Sequence, residues 1–268
     1  MDKLKKEQAR AMELQELKLE VSDYIATVTI DRPPVNLLSP RLQEEMTYVF
    51  DSFTDRDDVR VAILTGAGRT FCGGLDLKAR AARVPGPGEA WAQRRAWREC
   101  TYSIQECKKP VVAAINGPAL GGGLAMVAMC DILVASTAAE LGLPEINVGQ
   151  LGGARRAMIL FGHSKVRRMM FTGYRVKADE LLRLGIVESV VQPEQLMDTA
   201  RGIAREIAAK SPVAIKLAKL AVNTIEDKSV RDGYRFEQDM TAELNKYEDS
   251  KEAMRAFLEK RAPDFKGR

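Results

Sequence analysis

The sequence contains few of the residues from which metal centres and disulfide frameworks are built. It has one histidine and four cysteines in 268 residues, and no two cysteines form a Cys-x-x-Cys pair. Zinc sites and disulfide scaffolds need more of these residues at closer spacing. We therefore expect no bound metal. We interpret Cys72 and Cys130, which lie among apolar residues, as small core side chains of a reduced, cytoplasmic protein.

Long hydrophobic runs, blocks of like charge and nucleotide-binding motifs are also missing. The most apolar window, 119–135, is short, glycine-rich and interrupted by Asp131, so we expect no membrane span. The 41 basic and 37 acidic residues are interleaved and give a net charge of +4, a pattern that disfavours a nucleic-acid partner. No Gly-x-Gly-x-x-Gly, P-loop or Gly-x-Ser-x-Gly motif occurs, so dinucleotide, phosphate-loop and serine-triad chemistry lack support.

Apolar runs of strand length alternate with helical patterns as far as about residue 195, and the rest of the chain is helical in pattern. This predicts an α/β fold with a core over 1–195 and a helical region over 196–268. Helix breaks are expected at Ser211-Pro212, around Asp227 and at Gly233. The predicted strands are 17–21, 24–30, 59–64, 111–115, 131–136, 139–143 and 186–191, and the main predicted helices are 40–53, 89–108 and 177–184.

Two buried strands are each followed by a glycine turn. The first turn leads through Gly73-Gly74 to Leu75, and the second, Gly121 to Gly123, opens a helix. Two backbone N–H groups held in place are what a thioester carbonyl needs when it gains negative charge during a reaction. The alternative is that both are tight turns required only for packing. Spacing by itself does not decide between them.

Glu145 is an acid among apolar neighbours in Leu143-Pro144-Glu145-Ile146. An apolar setting raises the pKa of a carboxyl group toward the range useful for proton transfer, so Glu145 is a candidate general acid/base. The alternative is a strand-end glutamate that points to solvent, and the motif taken alone favours this alternative.

Taken together, several segments resemble the crotonase (enoyl-CoA hydratase/isomerase) superfamily over nearly the whole chain and in the family's order. The resemblance implies a spiral of ββα turns with a helical C-terminal region that mediates trimerisation, commonly as a dimer of trimers. The segments are Phe71-Cys72-Gly73-Gly74-Leu75-Asp76-Leu77-Lys78, Ile115 to Gly123, Cys130-Asp131-Ile132, Leu143 to Ile146 and Ala256 to Arg261.

The resemblance also implies roles for single residues. The backbone N–H groups of Leu75 and Gly122 would form an oxyanion hole for a coenzyme A thioester, with Glu145 as the catalytic acid/base. It implies no cofactor beyond the coenzyme A carried by the substrate. The expected substrate-binding residues are Gly73, Gly121, Lys78 and Lys260, the two lysines through the coenzyme A phosphates.

The chain departs from the family pattern at one position. Typical hydratases of this superfamily hold a water between two glutamates, and the first would fall at position 125, where this chain has Ala125. We therefore expect an enzyme of fatty-acyl metabolism with Glu145 as its single acid/base, catalysing isomerisation or a single-acid hydration. The alternatives are a coenzyme A ester hydrolase or carbon–carbon lyase on the same scaffold, and a non-catalytic acyl-CoA-binding protein.

Overall fold

The computed structural model describes residues 12–82 and 84–268. The first two strands form the predicted hairpin. Strands β1 (Leu17–Ser22) and β2 (Ile25–Ile30) pair antiparallel, with Leu17 opposite Ile30. Asp23 and Tyr24 form the turn with positive φ angles of 53° and 63°. The alternation of buried and exposed residues in β1 marks it as the edge of the sheet, where one face meets solvent.

The main sheet has six strands in the order β1-β2-β3-β4-β6-β9 and is parallel from β2 onward. Its central strands, β3 and β4, are buried along their whole length, which is why they are continuous apolar runs rather than alternating ones. The strands after the hairpin are β3 (Val61–Gly66), β4 (Val111–Ile115), β6 (Ile132–Ser136) and β9 (Ser189–Val191).

A second sheet of three short strands stands beside the first. It contains β5 (Pro118–Leu120), β7 (Glu140–Gly142) and β8 (Arg175–Lys177) in the order β5-β7-β8. β5 and β7 are parallel, and β7 and β8 are antiparallel. This sheet matters for function because β5 ends at the second glycine turn and β7 ends just before Glu145.

Helices connect the strands and cover the core. Ser39 caps the first of them by accepting a hydrogen bond from the Leu42 N–H at 2.9 Å, as its place before Pro40 predicts. The helices before residue 195 are α1 (Pro40–Ser52), α2 (Leu77–Ala81), α3 (Glu89–Glu106), α4 (Gly122–Val127), α5 (Ala154–Leu160), α6 (His163–Thr172) and α7 (Ala178–Arg183), with 3-10 turns at Phe53–Asp55, Pro144–Val148 and Pro193–Gln195.

The C-terminal region is helical, as predicted, and its first helix packs directly on the main sheet. Ala200 and Ala204 on this helix lie in one buried cluster with Ile63 of β3 and Val112 of β4. The predicted boundary at 195/196 therefore separates elements that share a core. The four helices are α8 (Leu196–Ala208), α9 (Pro212–Ile225), α10 (Val230–Leu244) and α11 (Glu248–Glu259).

The predicted helix break at Gly233 is wrong, whereas the break at Ser211-Pro212 is confirmed. Gly233 lies inside α10, which begins after the capping residue Ser229. A β-carbon at Gly233 would lie 3.4 Å from Cβ of Ile225. The glycine therefore lets α10 approach the end of α9 closely, and this packing offsets its poor helix propensity.

A buried ion pair fastens α9 to the core. The Lys219 ammonium donates to the Asp131 carboxylate at 2.8 Å and to the carbonyl oxygens of Ile104 and Lys109 at 3.4 and 3.1 Å. Asp131 Oδ2 also accepts from the Val111 N–H at 2.6 Å.

In the part of the chain that the structure describes, no helix is both long enough and apolar enough to cross a membrane.

Candidate functional site

The two glycine turns singled out in the sequence are brought together by a short parallel bridge between Cys72 and Ala119. The Cys72 N–H donates to the Pro118 carbonyl at 3.2 Å, and the Leu120 N–H donates to the Cys72 carbonyl at 2.9 Å. A β-carbon at Gly123 would overlap the Cys72 carbonyl oxygen. The glycine at 123 is therefore a steric requirement of the contact between the turns.

The contact places the backbone of Leu75 close to that of Gly122. At Gly74, where φ is +92°, a β-carbon would lie 2.9 Å from the Leu120 carbonyl oxygen and 3.8 Å from the Gly122 nitrogen. Leu75 forms an isolated bridge with Leu38, in which the bonds are made by the residues on either side of Leu75. Among the described residues, neither the Leu75 nor the Gly122 N–H donates to a protein acceptor. Both donors are thus available to a ligand.

Two apolar side chains pack against Gly122. A β-carbon there would overlap Leu38 and would lie 3.3 Å from Cη2 of Trp97, which belongs to α3. Trp97 is partly buried against the core, and we did not predict it as a site residue. Its spacing from Cys100 and Ile104 places it on the buried face of α3, a helical periodicity that could have identified it.

Glu145 lies against the second glycine turn. It belongs to the 3-10 turn that follows β7, and a β-carbon at Gly121 would overlap its Oε1. The Gly121 N–H donates to the Gly142 carbonyl at 2.9 Å, which extends the β5–β7 pairing as far as the site. This pairing fixes the carboxyl group of Glu145 beside the residue that precedes Gly122.

The Glu145 carboxyl group is poorly solvated. Its Oε2 is buried and has no hydrogen-bond partner among the described residues. Burial raises the pKa of Glu145 above its ordinary value, with a hydrogen bond from its own backbone acting in the opposite direction. The Oε2 atom therefore does not point to solvent as the alternative for Glu145 supposed, and a carboxyl group in such a setting can take up and return a proton.

Ala125 occupies α4 one turn beyond Gly121, and its N–H donates to the Gly121 carbonyl at 3.1 Å. The residue is 3% exposed. A methyl group here can neither hold a water nor transfer a proton.

Within the described parts of the chain, no group of three or more His, Cys, Asp or Glu side chains could hold a metal ion.

The remaining predicted residues differ in their relation to the site. The N–H groups of Gly73 and Gly121 are used within the protein, the former by the Val35 carbonyl at 2.9 Å, so these glycines contribute space rather than donors. Lys78 is exposed in α2, three residues after Leu75. Lys260 is exposed at the end of α11, where its N–H donates to the Phe257 carbonyl at 3.2 Å, and no described contact joins it to the Glu145 site.

Comparison with known proteins gives consistent matches over nearly the whole chain. A family model described as enoyl-CoA hydratase/isomerase matches residues 20–268. A short-chain-enoyl-CoA hydratase from Clostridium acetobutylicum is 38% identical over 265 residues, which cover 96% of this chain and 100% of that protein. An (E)-benzylidenesuccinyl-CoA hydratase from Thauera aromatica is 37% identical over 256 residues, covering 93% of this chain and 98% of the relative.

The fold is also that of solved structures in the same group. The crystal structure of an enoyl-CoA hydratase from Bacillus anthracis superposes with a TM-score of 0.89 at 32% identity. The superposition covers 95% of this chain and all of that one. The predicted α/β class, with a crotonase-like core and helical C-terminal region, is confirmed.

Proposed function

The chain belongs to the enoyl-CoA hydratase/isomerase family, whose members are enzymes acting on acyl-CoA, and we propose that it moves a proton on its substrate through a thioester enolate. The free N–H groups of Leu75 and Gly122 bind the thioester oxygen. Glu145 removes the proton on the carbon next to the carbonyl. The observation that carries this proposal is the buried, unpartnered Oε2 of Glu145 beside the turn that presents Gly122.

The two N–H groups stabilise the enolate because they are fixed before the reaction starts. Both belong to backbone segments held by β-bridges, at Leu38–Leu75 and Cys72–Ala119. Preorganised donors need no reorganisation when charge develops on the oxygen, and removal of one such donor in other enzymes costs about 10²–10³ in rate. The packing of Leu38 and Trp97 against Gly122 keeps this region apolar, which strengthens the hydrogen bonds.

One carboxyl group is enough for isomerisation of the carbon–carbon double bond. Glu145 takes a proton from C2 of a 3-enoyl thioester, and the electron pair delocalises into a dienolate held at the oxyanion hole. The protonated Glu145 then returns the proton to C4, which gives the 2-enoyl thioester without consuming water. The buried Ala125 and the unpartnered Oε2 favour this reaction, because isomerisation needs no second carboxyl group to hold a water.

Hydration is the second candidate, and the names of the relatives favour it. Proteins 38% and 37% identical to this chain are named as hydratases. In this reaction Glu145 takes a proton from water as the oxygen attacks C3 of a 2-enoyl thioester, and the protonated Glu145 then gives this proton to C2 of the enolate. Because residue 125 is alanine, Glu145 alone would orient the water, and the rate depends on how well one carboxyl group can do so.

Mass spectrometry of 3-hexenoyl-CoA and crotonyl-CoA incubated with the enzyme in deuterated water separates the candidates. Isomerisation predicts conversion of the 3-enoyl to the 2-enoyl thioester with no added water. A gain of one water by crotonyl-CoA would identify hydration. Glu145→Gln should remove either activity, whereas Glu20→Gln, on the exposed edge strand β1, should retain it. Full turnover in Glu145→Gln would overturn the proposal.

We place the coenzyme A phosphates near Lys78 and Lys260, both of which are exposed. Lys78 has the stronger position because it lies in α2, only three residues after Leu75. Lys78→Ala should raise KM for acyl-CoA and leave KM for the acyl-pantetheine fragment, which lacks the nucleotide phosphates, unchanged. Equal effects on both substrates would exclude a phosphate contact. Lys260→Ala measured in the same way tests the second lysine independently.

We propose a homotrimer, or a dimer of trimers, formed through the C-terminal helices. Large apolar side chains on these helices are exposed to solvent, including Val230 at 91%, Phe257 at 79% and Leu258 at 72% exposure. Exposed apolar surface of this kind is typical of protein interfaces. Light scattering coupled to size exclusion should give the mass of three or six chains, and Phe257→Glu should lower it. A monomer mass for the unaltered chain would contradict the proposal.

A further inference from the structure

The side chain of Arg32, just beyond β2, crosses between the two backbone segments that form the Leu38–Leu75 bridge. Its Nη1 donates to the Leu37 carbonyl at 3.1 Å, and its Nη2 donates to the Asp76 carboxylate at 3.0 Å. Its Nε donates to Glu16 at 3.0 Å. The guanidinium group is thus held on three sides by three separate acceptors, an arrangement that its planar, forked geometry suits.

Two of these acceptors, the Leu37 carbonyl and the Asp76 carboxylate, lie next to the bridge between Leu38 and Leu75. The Leu38 N–H donates to the Gly74 carbonyl at 2.8 Å, and the Asp76 N–H donates to the Leu38 carbonyl at 3.4 Å. Leu37 precedes the bridge on one strand and Asp76 follows it on the other. Arg32 therefore ties together the two segments at the residue next to Leu75, whose free N–H points away from the bridge.

Asp76 extends the connection to α2. Its Oδ1 accepts a hydrogen bond from the Ala79 N–H at 3.0 Å, and its Oδ2 accepts from Arg32. The Ala79 N–H and the Arg32 guanidinium together hold the pKa of Asp76 below its ordinary value, which favours the charged carboxylate. The Asp76 side chain thereby links Arg32, just after β2, and the start of α2 to the segment that contains Leu75.

The segment before Leu75 takes its conformation from its contacts with neighbouring segments rather than from its own residues. Gly73 and Gly74 precede it, and glycine restricts the backbone less than any other residue. The bridge to Leu38 is isolated rather than part of a longer ladder, and the longer of its two hydrogen bonds, at 3.4 Å, is the one on the Asp76 side. A side-chain contact from outside the segment would therefore stabilise the bridge most on its Asp76 side.

We propose that Arg32 is a positioning residue for the oxyanion hole: by bridging the Leu37 carbonyl and the Asp76 carboxylate, it sets the direction in which the Leu75 N–H meets the thioester oxygen. This inference rests on the proposed function, because it takes Leu75 as a donor to the substrate. It assigns Arg32 no contact with the substrate. Its effect appears in how strongly the carbonyl is polarised and less in how tightly the coenzyme A moiety binds.

The test is the infrared carbonyl stretch of an isotope-labelled, unreactive acyl-CoA thioester bound to the enzyme, measured with kcat and KM. In the unaltered enzyme the stretch should fall to lower frequency on binding. Arg32→Met should move it back toward the free value and lower kcat about 10- to 100-fold with KM within about threefold, since a misplaced donor weakens the transition state most. Arg32→Lys should restore part of the shift.

Arg60→Met is the matched control. Arg60 also braces the backbone, since its Nη1 donates to the Ala208 carbonyl at 3.0 Å and its guanidinium group lies over the Tyr24 ring. Its loss should lower the melting temperature while leaving the carbonyl stretch and kcat unchanged. Should Arg32→Met not fold, Asp76→Asn provides the same test. It removes the negative charge of the carboxylate that accepts hydrogen bonds from Arg32 and from the Ala79 N–H.

The outcomes separate the two proposals. No shift of the carbonyl stretch in the unaltered enzyme would reject the oxyanion hole itself and, with it, the proposed function. A shift that persists undiminished in folded Arg32→Met and Asp76→Asn would reject the positioning role and leave the oxyanion hole standing. A reduced shift in these variants, with the Arg60→Met shift intact, would establish Arg32 as the positioning residue.

Discussion

Gly121 leaves the space that the carboxyl group of Glu145 occupies. A β-carbon at Gly121 would overlap Glu145 Oε1 and would lie 3.0 Å from its Cδ. The residue also has a φ of +55° and a ψ of −110°, a combination that side-chain-bearing residues rarely adopt. The glycine is therefore required twice, by the backbone conformation and by the position of the proposed acid/base.

Gly121→Ala should displace the Glu145 carboxyl group and lower kcat by about 10²-fold or more, because small misplacements of a catalytic group have effects of this size. The positive φ should also cost about 1–3 kcal/mol of stability. Steady-state kinetics on an accepted enoyl-CoA measures the first effect, and thermal unfolding at a fixed protein concentration measures the second.

Gly185→Ala is the control for backbone strain. Gly185 has a φ of +69°, and a β-carbon there would meet nothing within 4 Å. It should show a comparable loss of stability and an unchanged kcat. If both variants lost activity equally, the loss in Gly121→Ala would reflect strain and not displacement of Glu145.

The pH dependence of kcat/KM should report the ionisation of Glu145. Burial raises the pKa of this carboxyl above the ordinary 4.5, and proton abstraction needs the charged form. The rate should therefore rise with pH through a pKa above 4.5 and level off beyond it. An acidic limb centred at or below 4.5, or one that persists in the residual activity of Glu145→Gln, would show that another group controls the reaction.

The sequence predicts the two N–H donors and the acid, but not what surrounds them. The strands, the glycine turns and Glu145 follow from local patterns and from the family resemblance. The contact of Trp97 with Gly122 depends on how α3 packs across the glycine turn, a long-range relation that periodicity can suggest but cannot place. The break predicted at Gly233 fails for a similar reason, because the packing against Ile225 outweighs helix propensity.

Ala125→Glu should add the second carboxyl group that hydration uses. Ala125 is buried one turn beyond Gly121, near the start of α4, where the helix dipole stabilises a negative charge. We expect hydration of crotonyl-CoA to rise about 10-fold or more, within the range of general acid–base catalysis. Loss of the enoyl absorbance measures the rate. Ala125→Gln has nearly the same volume and no transferable proton, and should show no gain.

An equal rise in both Ala125 variants would attribute the effect to pocket shape or to a polar contact with water. No rise in either, with both variants folded, would show that position 125 does not face the reacting carbons. The second result would leave the proposed role of Glu145 untouched, because that role depends on Gly121 and on the N–H groups of Leu75 and Gly122.

Glu145→Gln should stabilise the protein while it abolishes activity. In the folded chain Oε2 is buried without a partner among the described residues, and a charge in that position costs free energy that a neutral amide does not. Because the folded pKa is raised, the native state of the unaltered protein holds its proton more tightly than the unfolded chain does. Its stability therefore falls as pH rises from the ordinary pKa through the raised one.

The glutamine variant lacks this dependence, so its advantage should grow with pH across that window to about 1 kcal/mol. Thermal unfolding of both proteins at equal concentration, at a pH below the ordinary pKa and again near neutrality, measures the difference. Glu20→Gln, on the exposed edge strand, should change stability by less than about 0.5 kcal/mol. A destabilised Glu145→Gln protein at neutral pH would mean that the carboxylate is stabilised in the resting enzyme, and the driving force for proton uptake proposed here would be absent.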